Sequence, residues 1–427
     1  MLKNCSKNSG DDFFSGLPEN NKKSLLTIQK YGGSSLADEE RIFNVASRIA
    51  ECYKNGSHVV AVLSAQGDTT DHLIQAALKI NAQPSAREMD MLISTGEQQS
   101  AALMTLALHK MEIPAISLNG NQMDIITTGS HGSARVKEVS TTRIYKELYD
   151  NHRVVLATGF QGHTENGDVT TLGRGGSDTT AVAIAAAVNA DLCEIYTDVD
   201  GIYTADPRLV DNARKLEYIT YDEMLEMASL GANVLHNRSV ELAKKYAVQL
   251  VVRSSLNKKP GTIIKGGASL ENTHVSGLTV DKNVAQVSVV EIQDKPGMAF
   301  QLFDRLADNG IVVDMILQSV GRNNTKDISF TVSKNQLEKT LAILGAIELD
   351  YGYLNSDSSI VKLSLVGVGM AANPRIASQM FGALYEAGVN IDMISTSEMK
   401  LSVLINEQDL VRGLNSVHER FFRIVEV

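Results

Sequence analysis

An internal repeat near the carboxyl terminus limits the possible folds more than any other feature of this chain. Residues 302–319, LFDRLADNGIVVDMILQS, match residues 380–397, MFGALYEAGVNIDMISTS, so that Asp314 corresponds to Asp392. Each copy reads strand, helix, strand, strand, helix, strand. A duplicated βαββαβ unit predicts two small α+β domains of ferredoxin-like topology. Inert packing modules would show the same repeat, so the pattern alone assigns no role.

The preceding part of the chain alternates apolar strands with amphipathic helices. The strand candidates are HVVAVLSA, RVVLATGF, LCEIYTDV and VQLVVRSS, and the helix candidates are ERIFNVASRIAECYKN, GEQQSAALMTLALHKME and DTTAVAIAAAVNA. Near-continuous apolar strands that alternate with helices predict an α/β fold, with a mainly parallel sheet sandwiched by helices. The Gly-, Lys- and Pro-rich stretch 258–269, KKPGTIIKGGAS, reads as a linker.

These patterns divide the chain into four parts. We expect a disordered leader at 1–24, an α/β domain at 25–270, and the two repeat domains at 284–352 and 353–427. The spare strand HVSGLTV, residues 274–280, is able to complete either repeat domain.

Composition narrows the class of protein. A net charge of −10 over 427 residues disfavours nucleic-acid binding, which requires a basic face. The longest apolar run, AVAIAAAV, is too short to cross a membrane. The three cysteines, Cys5, Cys52 and Cys193, form neither a disulfide framework nor a metal cluster, and they fit the reducing cytoplasm.

A lysine and two glycines end the first strand of the α/β domain, in TIQKYGGSSL, residues 27–36. Lys30, Gly32 and Gly33 could form a tight turn with a solvated lysine. They could equally cradle a phosphate, since glycine admits backbone N–H groups close to an anion and lysine supplies charge.

A glycine-rich loop before a helix, in VTTLGRGGSDTTAVAIAAAV, is a second anion-site candidate. The amino terminus of a helix attracts anions, and the guanidinium of Arg174 suits a carboxylate or a phosphate. Asp178 complicates this interpretation, because its carboxylate could simply cap the helix. The glycine spacing matches neither a Walker loop nor the dinucleotide fingerprint.

Three further stretches place polar residues at strand or helix ends. ISTGEQQS puts Glu97 at a helix start, where acids are favoured in any case, and VLSAQGDTTDHL ends a strand near Thr70. YTDVDGIYTADPR is either an ordinary Asp-Gly turn or a nucleotide-binding segment, with four candidate residues, Thr197, Asp198, Tyr203 and Arg208.

In this order, KYGGSS, STGEQ, TLGRGGSDTTA, TDVDGIYTADPR and the tandem repeat resemble the monofunctional aspartate kinases. The resemblance runs from about Thr27 to the carboxyl terminus. It implies an amino-acid-kinase fold followed by two ACT domains. It also implies that ATP phosphorylates the β-carboxylate of L-aspartate, giving 4-phospho-L-aspartate and ADP, the first step of lysine, threonine and methionine biosynthesis.

The resemblance also implies roles for the candidate residues. Lys30, Arg174 and Asp178 would be catalytic, and aspartate would bind to Thr70, Glu97, Arg174 and Asp178. ATP, with Mg²⁺ but no dedicated protein metal site, would bind to Lys30, Gly32, Gly33, Ser34, Thr197, Asp198, Tyr203 and Arg208. Asn233 stands where the family commonly has a lysine, so a nucleotide contact there is in doubt.

For the repeat, the resemblance implies feedback inhibition by an amino acid, with lysine as the expected effector. It would bind between ACT domains of two subunits of a homodimer or homotetramer, at Asp294, Gln318 and Asn390. Two alternatives remain at this point. One is a related kinase acting on glutamate, acetylglutamate or carbamate, and the other is a catalytically silent amino-acid sensor.

Overall fold

The computed structural model describes residues 24–423, except 233, 268–273, 320, 322–323 and 348. The predicted leader therefore lies outside the described residues, apart from Ser24. The chain forms two compact units. Among the described residues, the first comprises 24–202, 215–225 and 234–267, and the second comprises 203–214, 226–232 and those from 274 to 423.

The elements of the first unit alternate between strand and helix much as the sequence predicts. Its strands are β1 (Leu26–Tyr31), β2 (His58–Leu63), β3 (Ala115–Leu118), β4 (Ile125–Thr127), β5 (Val136–Val139), β6 (Val154–Thr158), β7 (Gln161–His163), β8 (Val169–Thr171), β9 (Leu192–Thr197), β10 (Tyr218–Thr220), β11 (Leu250–Ser254) and β12 (Thr262–Lys265). Its helices are α1 (Glu39–Lys54), α2 (Thr69–Ile80), α3 (Ala86–Ile93), α4 (Thr95–Lys110), α5 (Thr142–Tyr145), α6 (Gly176–Ala187), α7 (Tyr221–Ser229, which ends in the second unit) and α8 (Asn237–Tyr246). A 3₁₀ turn, Gly33–Leu36, follows β1, and a π-helical turn, Lys146–Asp150, follows α5.

Eight of these strands form the main sheet, in the order β10-β12-β11-β9-β1-β2-β6-β3. Neighbouring strands are parallel except β11 and β12. The mainly parallel sheet predicted from the apolar runs is thus confirmed. The remaining strands form a smaller sheet, β5-β4-β7-β8.

Helices cover both faces of the main sheet. Tyr31 packs with Val45 of α1 and Met104 of α4. Helix α6 is apolar nearly all round, and its residues from Gly176 to Ala185 are buried, as expected of a helix inside a core. Because successive strand residues point to opposite faces, Lys30 points to the face that α6 covers.

The predicted linker at 258–269 is wrong in part, because its middle forms strand β12. The β-branched residues of Thr262–Lys265 pair with both β10 and β11. Gly261 allows the close turn into this strand, since a Cβ there would lie 2.0 Å from the carbonyl oxygen of Val252. Gly, Lys and Pro at its two ends concealed this short strand.

The second unit contains the internal repeat. Its strands are β13 (His274–Asp281), β14 (Ala285–Gln293), β15 (Ile316–Gln318), β16 (Thr325–Val332), β17 (Tyr353–Asp357), β18 (Ile360–Val368), β19 (Met393–Thr396) and β20 (Lys400–Asn406). Its helices are α9 (Met298–Asp308), α10 (Leu337–Gly345), α11 (Pro374–Glu386) and α12 (Leu410–Phe422), with 3₁₀ turns at Lys334–Gln336, Met370–Ala372 and Glu407–Asp409.

Each copy of the repeat builds one antiparallel four-stranded sheet, β15-β16-β14-β17 or β13-β18-β20-β19. The repeat-related glycines Gly310 and Gly388 follow α9 and α11 with φ of +70° and +65°, the left-handed conformation that glycine favours after a helix. The matching local geometry supports the duplication seen in the sequence. Pro374 begins α11, whereas α9 begins at Met298, after Gly297.

The predicted boundary between residues 352 and 353 is wrong. Strand β17 pairs with β14 and therefore belongs to the first copy. In the second copy, β13 pairs with β18 and occupies the place that β17 has in the first. The spare strand thus completes the second sheet, because the described part of that copy has no strand after α12.

The second unit also includes two stretches that the sequence assigned to a continuous domain at 25–270. Ala205 and Val210 are buried in one apolar cluster with Leu278, Val361 and Ile405. Thr204 Oγ1 lies 2.9 Å from His418 Nε2 on α12. The stretch 203–214 reads as a polar loop in the sequence, but its buried apolar side chains place it in the second unit. No helix in the described part of the chain has the length and apolar character needed to span a membrane.

Candidate active site

A cleft of about 620 Å³ opens in the first unit, where β1 and β2 end and α6 begins. The carboxyl ends of parallel strands commonly form such sites. Seven of the predicted site residues line it: Lys30, Gly32, Gly33, Thr70, Glu97, Arg174 and Asp178. Four separate sequence motifs therefore meet in one cavity.

An ion pair joins the end of β1 to the first turn of α6. Lys30 Nζ lies 2.8 Å from Asp178 Oδ1, and the two side chains are only 11% and 12% exposed. Asp178 does not cap the helix, since α6 begins after Gly175 without a side-chain cap. The interpretation of Asp178 as a simple cap is therefore wrong. The pair holds a cation beside the open amino terminus of a helix, where an anion is also favoured.

Glycines bring the surrounding backbone close to this pair. A Cβ on Gly33 would lie 2.6 Å from the carbonyl oxygen of Ala65, so only glycine lets the loops after β1 and β2 approach this closely. Gly175 has φ +67°, and a Cβ there would lie 2.2 Å from the Cβ of His236. Two walls of the cleft therefore depend on the absence of side chains.

Arg174 lies between two glycines of the loop before α6. Its side chain is exposed, and within the described residues its guanidinium has no hydrogen-bond or ion-pair partner. A planar cation in this setting is available for a carboxylate or phosphate ligand.

Glu97 provides a buried carboxylate in the first turn of α4, with the residue only 3% exposed. Its Oε1 accepts a hydrogen bond from the Ala65 N–H at 3.0 Å, while its buried Oε2 has no hydrogen-bond partner. Burial raises the pKa of Glu97 to about 7, although backbone N–H donors oppose the shift. An ammonium ligand would satisfy the free oxygen and favour the ionised form.

The other predicted nucleotide residues do not line this cleft. Ser34 is exposed beyond it, and Asp198 is exposed after β9. Thr197 Oγ1 accepts a hydrogen bond from the Val199 N–H at 3.0 Å. Asn233 lies outside the described residues.

The last two predicted nucleotide residues, Tyr203 and Arg208, belong to the second unit. Arg208 pairs with Asp206 at 2.7 Å, and the hydrogen bonds from this arginine lower the pKa of Asp206. The arginine that the resemblance assigns to ATP binding therefore has a carboxylate partner in this structure.

The predicted effector residues lie in separate segments of the second unit. Asp294 follows β14 and pairs with Lys326 at 2.7 Å. Gln318 ends the exposed strand β15. Asn390 follows α11, and its Nδ2 lies 3.5 Å from Asp392 Oδ1.

Sequence reasoning missed several residues that line the cleft. Ser64, Ala65 and Phe160 follow the ends of β2 and β6, so the rule on parallel strand ends could have found them. Gly132 comes from a loop of the smaller sheet that no quoted motif covers, whereas Thr171 lies within VTTLGRGGSDTTAVAIAAAV but was not singled out.

Comparison with known proteins defines the class to which this fold and site belong. A model of the amino acid kinase family matches residues 26–254, and a model of the ACT domain matches residues 287–346 and 363–421. The chain is 46% identical to the aspartokinase of Mycolicibacterium smegmatis over 404 residues, covering 93% of this chain and 96% of that protein.

Solved structures give the same picture. The aspartate kinase from Synechocystis is 43% identical with a TM-score of 0.52, covering 94% of this chain and 70% of that one. E. coli aspartokinase III in complex with aspartate and ADP has a TM-score of 0.73 over 93% of this chain and all of that one. At 24% identity, this second likeness concerns the fold alone.

The fold and the cleft thus define a kinase of the amino-acid-kinase class that carries two ACT domains. Within this class, the chain belongs to the aspartokinase family. The fold and the enzyme class expected from the sequence motifs are confirmed.

The pKa of Glu97 predicts that binding of an amino acid depends on pH. Only ionised Glu97 attracts an ammonium group, so affinity for L-aspartate should fall about tenfold for each pH unit below the pKa of about 7. Above that pKa it should level off. Calorimetric titration with L-aspartate between pH 6 and 8 measures this dependence.

Glu97→Gln is the matched variant, since it keeps the shape of the side chain but cannot ionise. It should bind L-aspartate weakly and with no pH dependence over the same range. A wild type whose affinity is flat from pH 6 to 8 would contradict the role assigned to the Glu97 carboxylate.

Proposed function

We propose that the cleft transfers the γ-phosphoryl group of ATP to the β-carboxylate of L-aspartate, giving 4-phospho-L-aspartate and ADP. The observation that carries this proposal is the shared cleft. Glu97 and Arg174, whose guanidinium has no partner among the described residues, line the same cavity as the Lys30–Asp178 pair. One cavity therefore offers groups complementary to both charged ends of an amino acid and to a phosphate.

The charges of the cleft support a definite orientation of aspartate. The guanidinium of Arg174 would bind the α-carboxylate with two parallel hydrogen bonds, and Glu97 would bind the α-ammonium. Asp178 and Thr70 would complete the aspartate side. The β-carboxylate is then left to face the phosphate near Lys30.

The chemistry of this transfer requires no general base. The β-carboxylate is already ionised at neutral pH, so one of its oxygens can form the new bond to the γ-phosphorus directly. The bond to the β–γ bridging oxygen breaks, and that oxygen leaves with ADP. Catalysis then consists of holding two anions in line and stabilising charge on the transferred group. Lys30 and the backbone at Gly32 and Gly33 suit that task.

Within the first unit, ATP binding would use Lys30, Gly32, Gly33 and Ser34, together with Thr197 and Asp198. The described residues contain no group of three or more His, Cys, Asp or Glu side chains suited to hold a metal. We therefore infer that Mg²⁺ would be held mainly by phosphate oxygens and water, which is common for nucleotide-bound magnesium. The small number of cysteines supports a cytoplasmic enzyme.

The two alternative functions fit this cleft less well. A kinase for glutamate, acetylglutamate or carbamate lacks support, because the relatives at 46% identity are aspartokinases. A catalytically silent sensor would not need Lys30, Glu97, Arg174 and Asp178 around one cavity. Asn233 remains the only sequence feature in its favour.

The ACT domains support regulation by an amino acid, for which we propose lysine. One subunit would contribute Asp294 and Gln318, and its partner the region of Asn390. Strand β15 lies at a sheet edge with Ile316 and Leu317 about half exposed, and such an edge can pair with a second copy. These features support a homodimer or a homotetramer. An effector inhibits only if it binds an inactive arrangement more tightly than the active one.

The first experiment is an ADP-release assay with hydroxylamine to trap the acyl phosphate. L-Aspartate should support turnover, whereas L-glutamate and N-acetyl-L-glutamate should not. Arg174→Lys keeps the charge but loses the planar fork, so the KM for aspartate should rise by about tenfold or more while the KM for ATP stays near wild type. A rise confined to the KM for ATP would show that Arg174 binds ATP and that its assignment to aspartate is wrong.

The second experiment tests regulation. Asp294→Ala should reduce inhibition by lysine without lowering the uninhibited kcat, because the substitution removes the carboxylate expected to bind the effector's ammonium. Asp308→Ala, an exposed acid on α9 of the same domain, is the control and should be inhibited like wild type. Lysine inhibition curves give the result, with mass measured in parallel. A wild type that responds to neither lysine nor threonine would overturn the regulatory proposal but not the kinase proposal.

A further inference from the structure

A carboxylate outside the predicted site gathers donors from two segments that border the cleft. Asp90, on α3, is only 1% exposed. It accepts hydrogen bonds from the Gly132 N–H at 3.0 Å, the Thr171 N–H at 3.0 Å and the Thr171 hydroxyl at 2.5 Å. His131 Nδ1 also lies 3.0 Å from its Oδ2. A buried carboxylate is tolerated only when its oxygens are satisfied in this way.

Arg238, on α8, binds the same two segments through their carbonyl groups. Its guanidinium donates to the carbonyl oxygen of Leu172 at 2.5 Å and to that of Ala134 at 2.8 Å. The two segments are also joined directly, since the Ala134 N–H donates to the carbonyl oxygen of Thr171 at 2.9 Å. In the segments 131–134 and 171–172, an anion thus accepts from the N–H groups of Gly132 and Thr171, while a cation donates to the carbonyl groups of Ala134 and Leu172.

These two segments fix the position of the backbone at Arg174, from which its side chain extends. Gly132 and Thr171 line the cleft, and Arg174 follows Leu172 by two residues. A Cβ on Gly173, which has φ +76°, would lie 2.9 Å from the carbonyl oxygen of Gly132, so the loop rests against the segment that Asp90 binds. Asp90 also lies on the helix that precedes α4, whose first turn carries Glu97. Asp90 therefore links the segment that precedes Glu97 to the segment that precedes Arg174.

We propose that Asp90 and Arg238 are positioning residues that set the separation between Arg174 and Glu97 and thereby the affinity for the amino-acid substrate. This inference rests on the proposed function. The two groups touch no substrate. They act by fixing the backbone from which Arg174 extends, and displacement of a binding group by about 1 Å can change a rate a hundredfold.

The test compares steady-state kinetics of the full-length chain and its variants by ADP release. Asp90→Asn keeps the shape but turns an amide NH₂ toward groups that are themselves donors. It should raise the KM for aspartate about tenfold or more and leave the KM for ATP within about twofold. Arg238→Lys keeps the charge but loses the planar guanidinium that donates to two carbonyl groups. It should raise the KM for aspartate by a smaller factor.

Glu88→Gln is the matched control, because Glu88 is an exposed acid on the same helix and pairs with Arg87. It should behave like wild type. The double variant Asp90→Asn/Arg238→Lys should raise the KM for aspartate by less than the product of the single effects, because both residues hold the same segments.

A merely structural role would lower the melting temperature and the active fraction, and with it kcat, but would leave the KM for aspartate unchanged. That result, or a parallel rise of both KM values, would overturn the inference. If Asp90→Asn does not fold, Arg238→Lys decides by the same criterion. A wild type without aspartate-dependent turnover would overturn the proposed function and this inference with it. An active wild type with unaltered variants would overturn the inference alone.

Discussion

The ion pair between Lys30 and Asp178 is the interaction on which the site depends. It joins the end of the central strand β1 to the first turn of α6, both inside the protein. A nearly buried cation is tolerated because a carboxylate accompanies it. An incoming phosphate can share that cation, so the carboxylate that neutralises Lys30 also keeps a cation in place for an anion. The glycines around the pair let backbone groups approach the same point.

Two other charged groups of the cleft, Glu97 and Arg174, lack a full set of partners among the described residues. Glu97 is buried with one oxygen unsatisfied, and Arg174 is exposed without a partner among the described residues. Each of these groups is therefore left available to a ligand of the opposite charge. Asp90 and Arg238, by contrast, form hydrogen bonds with backbone groups and thereby support the walls of the cleft. The cleft thus combines unpaired groups for binding with paired groups for support.

Much of this arrangement could be predicted from the sequence. Continuous apolar runs identified the main strands, and glycine and charged residues at strand ends or helix starts identified Lys30, Glu97, Arg174 and Asp178. The role of Asp90 could not be predicted, because its partners on His131, Gly132 and Thr171 are far away in the sequence. Strand β12 was missed because Gly and Pro flank it. The copy to which β13 belongs was left open and that of β17 was misassigned, because pairing in a sheet is not local. The nucleotide and effector residues remain predictions.

The most direct test of the central claim is the turnover of Lys30→Ala. If Lys30 stabilises the transferred phosphoryl group, kcat should fall about 10²- to 10³-fold while the circular dichroism spectrum stays unchanged. The double variant Lys30→Ala/Asp178→Asn also removes the carboxylate that has lost its lysine partner, and its kcat should be equally low. Lys79→Ala, at an exposed position on α2, should have the kcat of wild type. A folded Lys30→Ala enzyme with near-wild-type kcat would contradict the account.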